Sequence, residues 1–130
     1  MKLLGIDYGD SKIGLAIGDI ESGVATPYGV IKNLGWNNAI HQIKSVCEKE
    51  RIEKIIVGVP VNPMVIESEQ IKKIEDFIFK LRTETGLEII GQDERFSTQE
   101  AQKLIAKRKS KDDDVSAMLI LQGYFDSFSK

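Results

Sequence analysis

Three groups of acidic residues occur where carboxylates could hold a divalent cation. Asp7 ends a short apolar run, Asp93-Glu94 follows a second such run, and Asp112–Asp114 supplies three acids in succession. Carboxylate oxygens are hard ligands that suit Mg²⁺ or Mn²⁺, and converging carboxylates need such a cation to remain ionised together. Two ions about 3.5–4 Å apart can clamp the attacking water and the leaving oxygen of a phosphodiester. The acids therefore predict a metal-dependent phosphodiester hydrolase, if the fold brings them together.

Each acidic group also has a purely structural interpretation. Asp7 could cap its own turn, and Glu94 could form a weak surface ion pair with Arg95. Acids at the start of a helix are favoured by capping and by the helix dipole alone. Asp113 differs because Ala117, Leu121 and Tyr124 continue its stripe along the predicted helix. That stripe is apolar, so Asp113 could face the edge of a sheet rather than solvent.

Phosphate contacts are predicted in the turn after Asp7. Gly9 would allow a phosphate to approach the backbone closely, and Lys12 lies in the same turn. A basic run from Lys103 to Lys111 separates the second and third acidic groups, and its cations could neutralise phosphates. A solvated helix face explains that run equally well. The only histidine, His41, falls in a predicted helix and is interpreted as a surface residue, which argues against a histidine-based mechanism.

Hydrophobic periodicity predicts three strands ahead of the first helix. Lys2–Ile6 is a short apolar run, and residues 13–18 alternate between large apolar residues and Gly14, Ala16 and Gly18. This period of two predicts a strand with one face of small residues. Ala25–Ile31 is the third strand, in which Pro27 indicates an edge or a bulge. The short connections predict an antiparallel meander.

The remaining chain alternates between helical and strand patterns. The predicted elements are a helix on Trp36, Ile40, Ile43 and Cys47; a buried parallel strand at Lys54–Val59; a helix on Ile74, Phe77, Ile78 and Leu81 that ends near Gly86; a strand at Leu87–Ile90; a helix capped by Ser97–Glu100; and a nearly all-apolar helix from Asp112–Asp114 to about Phe125. This order predicts an α/β fold with a mixed five-stranded sheet, an antiparallel meander plus parallel strands, and helices packed on it.

Composition restricts the function classes further. The 130 residues are 42% hydrophobic and fit one domain spanning 1–130, while the net charge of −2 neither demands nor excludes a nucleic-acid partner. The single cysteine, Cys47, excludes an intrachain disulfide and is predicted to be a core residue. We find no signal-peptide pattern and no apolar run of about 20 residues. We therefore expect a cytoplasmic protein with no membrane partner.

Several motifs together resemble the YqgF family, in order and over essentially the whole chain. They are Gly5-Ile6-Asp7-Tyr8-Gly9, Ile13-Gly14-Leu15-Ala16, Gly18-Asp19, Gly58-Val59-Pro60, the segment from Asp93 to Ala101, Asp113, Ser116-Ala117 and Leu119-Ile120-Leu121-Gln122. The family is described as a pre-16S ribosomal RNA nuclease and, earlier, as a Holliday junction resolvase. The resemblance implies a ribonuclease H-like fold and hydrolysis of RNA phosphodiesters during maturation of the small-subunit ribosomal RNA.

The resemblance also implies roles for individual residues. It makes Asp7, Glu94 and Asp113 the catalytic acids that bind Mg²⁺ or Mn²⁺. Lys12, Arg95 and Thr98 fall in family motifs and are expected to contact the substrate, together with Gly9. The expected partners are precursor ribosomal RNA or branched DNA, together with ribosomal particles.

Three departures from the family pattern affect these expectations. Met64-Val65 stand where the family usually carries an Asp-Gly pair, and the segment from Thr98 to Asp113 is shorter than usual. Resolvases of this fold usually place their second acid after the fourth strand. Here that strand ends in Gly58-Val59-Pro60, so Glu94 must serve instead. This favours a simple nuclease over a resolvase.

Two other function classes are compatible with parts of the sequence. The turn after Asp7 also resembles the first phosphate loop of actin-like ATPases and sugar kinases, but those enzymes bind nucleotide between two domains. A non-catalytic nucleic-acid-binding module is the second alternative. The presence of all three acids favours the enzyme over that module.

Overall fold

A computed structural model describes residues 1–59, 68–93 and 113–128 of the chain. Its sheet has five strands: β1 (Lys2–Asp7), β2 (Lys12–Asp19), β3 (Val24–Lys32), β4 (Lys54–Val59) and β5 (Glu88–Asp93). Their order in the sheet is β3-β2-β1-β4-β5. The first three strands are antiparallel, whereas β4 and β5 run parallel to β1. The predicted mixed sheet of an antiparallel meander and parallel strands is confirmed.

In the part of the chain that the structure describes, three helices pack on this sheet: α1 (Trp36–Glu50), α2 (Ser68–Thr85) and α3 (Asp113–Asp126). The last helix begins and ends close to the predicted positions. The helix predicted from Ser97, the basic run and the Met64-Val65 pair lie outside the described residues. Among the described helices, none is long and apolar enough to cross a membrane.

The two faces of the sheet carry separate apolar cores. Leu4 and Ile6 of β1 pack in a core that contains residues of α1 and α2, such as Ile43 and Phe77. Leu3, the neighbour of Leu4 in the strand, packs instead with residues of α3. Because successive strand residues point to opposite faces, the odd-numbered residues of β1 face α3. Asp7 therefore belongs to the α3 face.

Glycines allow α3 to lie very close to β1 and β2. A Cβ atom on Gly5 would stand 2.8 Å from the Leu121 Cβ, and one on Gly18 would stand 2.7 Å from the Phe125 ring. The face of small residues predicted for β2 is therefore the surface on which α3 packs. This explains why α3 is apolar nearly all round, with Val115, Ala117, Ile120, Leu121, Tyr124 and Phe125 buried.

The edge strand β3 contains one bulge. Leu15 pairs with Gly29 and Ala16 pairs with Pro27, which leaves Tyr28 as the extra residue. The bulge and the edge position confirm the interpretation of Pro27.

Two further predictions about α1 are confirmed. Cys47 is buried in the core, and burial raises the pKa of its thiol to about 11. His41 is exposed to solvent.

Candidate active site

The end of β1 and the start of α3 meet at one edge of the sheet. Asp7 pairs directly with Gly14 on β2, so both residues lie on the α3 face. Gly14 in turn packs against the backbone of Asp113, whose carbonyl oxygen takes the place that a Cβ on residue 14 would occupy. The first residue of α3 is thus held beside the strand position that pairs with Asp7. The fold brings together two of the three predicted acids.

The stripe predicted along α3 is present. Ala117, Leu121 and Tyr124 are buried against the sheet, and Asp113 begins the same stripe at the sheet edge. Asp7 and Asp113 are both half-buried. Each acid is therefore backed by packed structure and still open to solvent on one side.

The parallel strands end at the same edge of the sheet. Ile6 pairs with Val57, and Gly58 pairs with Gln92, so Asp7, Gly58 and Gln92 stand at one level across β1, β4 and β5. Gln92 shares the α3 face with Asp7 and is half-buried. The sequence interpretation missed Gln92, although strand alternation from Ile90 could have identified its face.

Three of the predicted site residues follow β5 in the sequence. Glu94 follows the last residue of β5 directly in the sequence. Glu94, Arg95 and Thr98 all lie outside the described residues. Among the residues that are described, no cluster of three or more His, Cys, Asp or Glu could hold a metal ion. Asp7 and Asp113 are the two predicted acids among the described residues, and carboxylate oxygens of this kind could hold a hard divalent cation.

A buried tyrosine braces the turn that follows Asp7. Tyr8 points to the opposite face, where its ring packs on Phe77 with 4.6 Å between ring centroids. Its hydroxyl oxygen accepts a 2.8 Å hydrogen bond from the Trp36 indole N–H. Trp36 also packs edge-on against Phe77. The backbone next to Asp7 is thereby fixed to α1 and α2.

Asn33 ties the same turn to the end of β3. Its side-chain amide donates to the Gly9 carbonyl at 2.9 Å, and its backbone N–H donates to the Ser11 carbonyl at 2.9 Å. Lys73 adds an ion pair with Asp10 at 3.1 Å, and that hydrogen bond raises the pKa of Lys73. These contacts join the turn to the end of β3 and to α2. The sequence interpretation missed them because they join residues far apart in the chain.

The two predicted phosphate-contacting residues in this turn have different environments. Gly9 has a structural reason to be glycine, because a Cβ atom there would collide with the Lys12 carbonyl. Lys12 is exposed at the start of β2, on the same face as Gly14. A role in substrate contact stays a prediction for both residues.

Gln122 fixes the far half of α3 to the meander. Its side-chain oxygen accepts a 2.9 Å hydrogen bond from the Ala25 N–H, and its amide donates to the Gly23 carbonyl at 2.8 Å. The α3 helix is thus fastened to the β2–β3 turn by polar contacts as well as by packing. These bonds, with the close packing over Gly5 and Gly18, set the position of Asp113 at the other end of the helix.

Comparison with known protein families identifies this architecture. Residues 1–127 match the family model described as "RuvX: Holliday junction resolvase". The chain belongs to the RuvX family. Relatives of this RuvX chain include proteins from Clostridium tetani, 37% identical over 98% of this chain and 97% of the relative, and from Thermoanaerobacter pseudethanolicus, 35% identical over the same shares. Both are named "Putative pre-16S rRNA nuclease".

Solved structures show the same fold at low sequence identity. Thermus thermophilus RuvC in complex with a Holliday junction substrate has a TM-score of 0.69 and 15% identity, over 98% of this chain and 95% of that one. The Fowlpox virus resolvase in its complex with Holliday junction DNA has a TM-score of 0.58 and 16% identity, over the full length of both chains. The predicted ribonuclease H-like fold and the resemblance to YqgF, the other name of the RuvX family, are confirmed. The predicted nuclease function, as a hydrolase of phosphodiesters, is confirmed at the level of the family.

Proposed function

We propose that this RuvX chain is a nuclease that depends on a divalent metal and uses Asp7, Glu94 and Asp113 to bind it. The observation that carries the proposal is the contact of Gly14, the strand partner of Asp7, with the backbone of Asp113. Two carboxylates held at one edge by unrelated elements form a donor set that fits Mg²⁺ or Mn²⁺. Glu94 follows the parallel strand that ends at this same edge, which makes it the natural third ligand.

The chain's own residues would each have a distinct task. Bound Mg²⁺ or Mn²⁺ supplies Lewis-acid stabilisation of the charge that develops on the phosphodiester. Asp7 is held rigidly because it ends a central strand, and its neighbour Tyr8 is locked by Trp36. Lys12 is exposed beside the acids and would attract a substrate phosphate. Arg95 and Thr98 would contact the same substrate, and Gly9 would allow close approach to the backbone.

The proposed substrate is the precursor of 16S ribosomal RNA, cleaved in the cytoplasm by one domain spanning residues 1–130. Relatives with 35–37% identity over nearly their whole length carry the name of that activity, which supports this choice. Ribosomal particles are a proposed partner for the same reason. Branched DNA is the second candidate, because the family is described as a Holliday junction resolvase.

The testing experiment compares both substrates in parallel. Labelled precursor RNA and a four-way DNA junction are incubated with wild-type protein in Mg²⁺, Mn²⁺ or EDTA. We expect metal-dependent RNA cleavage that Asp7→Asn abolishes, because the substitution removes one ligand charge with little change in volume. Asp76→Asn is the matched control, since Asp76 is exposed on α2, which packs on the opposite face.

Each outcome assigns the function differently. Cleavage of the junction alone would favour the resolvase. Equal cleavage by wild type and Asp7→Asn would refute the assignment of the active site. Tight RNA binding without cleavage, retained when Asp7, Glu94 and Asp113 are all replaced by alanine, would favour a non-catalytic binding module.

A further inference from the structure

Two lysines stand opposite each other beside the candidate active site. Lys12 on β2 pairs directly with Lys32 on β3, and both side chains are exposed. Their neighbours Ile13 and Ile31 pack in the core under α1 and α2. Strand alternation therefore puts Lys12 and Lys32 on the other face, which is the face of Asp7.

This pairing of like charges is unfavourable for the fold by itself. Like charges directly opposite on neighbouring strands repel one another. Lys2, Lys54 and Lys73 each have a carboxylate partner, whereas neither Lys12 nor Lys32 forms an ion pair with any described residue. An anion bound between the two lysines would turn the repulsion into attraction.

We propose that Lys12 and Lys32 form a two-lysine clamp for the phosphate backbone of the nucleic acid that enters the active site. The proposal rests on the nuclease function given above and adds Lys32 as a binding residue. A strand spacing of about 4.8 Å and a rise of about 3.4 Å per residue put the Lys32 Cα roughly 12 Å from that of Asp7. The clamp would thus grip the strand a short distance from the phosphodiester at Asp7 and Asp113.

Edge protection is the competing explanation for Lys32. Natural sheets often place lysine on an edge strand to prevent pairing with other chains, and β3 is an edge strand. That explanation requires Lys32 alone. It predicts no effect on nucleic-acid affinity and an increased tendency to self-associate when the charge is removed.

The experiment measures binding separately from cleavage. RNA affinity is measured by fluorescence anisotropy in EDTA, on an Asp7→Asn background, from about 50 to about 200 mM salt. Log affinity falls as log salt rises, and we expect Lys32→Gln and Lys12→Gln each to make this fall shallower, by about 0.7–0.9 in the slope. The salt-induced loss of affinity over that range then shrinks about 3-fold for each lysine. Lys32→Arg should keep the wild-type slope because it retains the charge.

Lys72→Gln is the matched control, because Lys72 is exposed on α2 and forms no ion pair with a described residue. Without RNA, the thermal unfolding midpoint of Lys32→Gln should equal or exceed that of the parent Asp7→Asn protein, since a repulsion between like charges is removed. The clamp would be overturned if the salt dependence of RNA affinity were the same in Lys32→Gln as in Lys72→Gln. It would also be overturned if Lys12→Gln kept the salt dependence of the parent Asp7→Asn protein. Lysine effects on binding without any cleavage by wild type would instead contradict the nuclease proposal and leave the clamp intact.

Discussion

A methyl group on residue 14 would need the space that the Asp113 carbonyl oxygen occupies. Gly14→Ala therefore forces either β2 or the start of α3 to move. Since the obstacle is backbone rather than the tip of a flexible side chain, the strain cannot be relieved by a change of rotamer. We expect the first turn of α3 to shift away from β2, which separates Asp113 from Asp7.

The expected change in the unfolding free energy of Gly14→Ala is the difference between two opposing contributions. Overpacking of a tight contact costs about 1–3 kcal/mol, while replacing a strand glycine with alanine gains about 0.5–1 kcal/mol. The net loss of unfolding free energy is about 1–2 kcal/mol, or roughly 4–8 °C in the thermal midpoint for a chain of this size. A displacement of about 1 Å between catalytic groups lowers activity on the order of 100-fold. Activity should therefore fall much further than stability.

The assay pairs thermal unfolding with single-turnover cleavage in Mn²⁺ for three alanine variants. Gly29→Ala is the control, because a Cβ there meets no atom within 4 Å. It should be as active as wild type and more stable by about 0.5–1 kcal/mol, the gain from replacing a strand glycine. Gly5→Ala collides with Leu121 further along α3, so it should lose stability with a smaller loss of activity than Gly14→Ala. A Gly14→Ala protein with wild-type stability and cleavage would refute the packing argument.

Three other perturbations have defined outcomes. Trp36→Phe removes the shorter of the two hydrogen bonds that the Tyr8 hydroxyl accepts, the other being donated by the Asn33 amide. The free energy of unfolding, measured with denaturant, should fall by about 1 kcal/mol, and cleavage should slow because the turn after Asp7 loosens. Burial raises the pKa of the Cys47 thiol to about 11, above the value of 9.0 in the unfolded chain. The stabilisation from burying the neutral thiol is therefore complete below pH 9.0 and is lost as the pH rises to about 11. Stability measured against pH should decline less steeply over that window in Cys47→Ala, and an unchanged decline would contradict the burial argument. Gln122→Leu should lower the free energy of unfolding by about 1–3 kcal/mol, because the Ala25 N–H loses its acceptor. Hydrogen exchange of the Ala25 amide should become faster, and unaltered exchange would show that this hydrogen bond is unimportant.

Much of the fold was predictable because its signals are local. The alternation of large residues with Gly14, Ala16 and Gly18 identified both β2 and the face that α3 covers. The nearly all-apolar composition of α3 predicts that the helix is buried. Pro27 indicated the edge and the bulge.

The extent of some elements was not predictable from periodicity. The strand β5 continues through Gly91-Gln92-Asp93, although these residues break the apolar run. They remain in the sheet because pairing with β4 extends to Val59 and provides partners for the backbone groups that face β4. Strand length here depends on a neighbouring strand that is distant in sequence.

The residues of the candidate site also differ in whether a local sequence pattern predicts them. A strand end and a helix stripe, both local patterns, predict Asp7 and Asp113 as candidates, and the structure places these two acids at the same edge of the sheet. The bracing of Tyr8 by Asn33 and Trp36 was missed, because those hydrogen bonds join residues 25 and 28 positions apart and leave no periodic signal.

Metal binding and cleavage by two neighbouring aspartate variants test the central claim most directly. Asp113 and Asp114 both lie in the first turn of α3, so they interact with the helix dipole to a similar extent. Isothermal titration with Mn²⁺ and single-turnover RNA cleavage are compared for Asp7→Asn, Asp113→Asn and Asp114→Asn. We predict that the first two variants lose Mn²⁺ affinity and cleavage while Asp114→Asn keeps both. Full activity in Asp113→Asn, or an equal loss in Asp114→Asn, would contradict a shared site formed by Asp7 and Asp113.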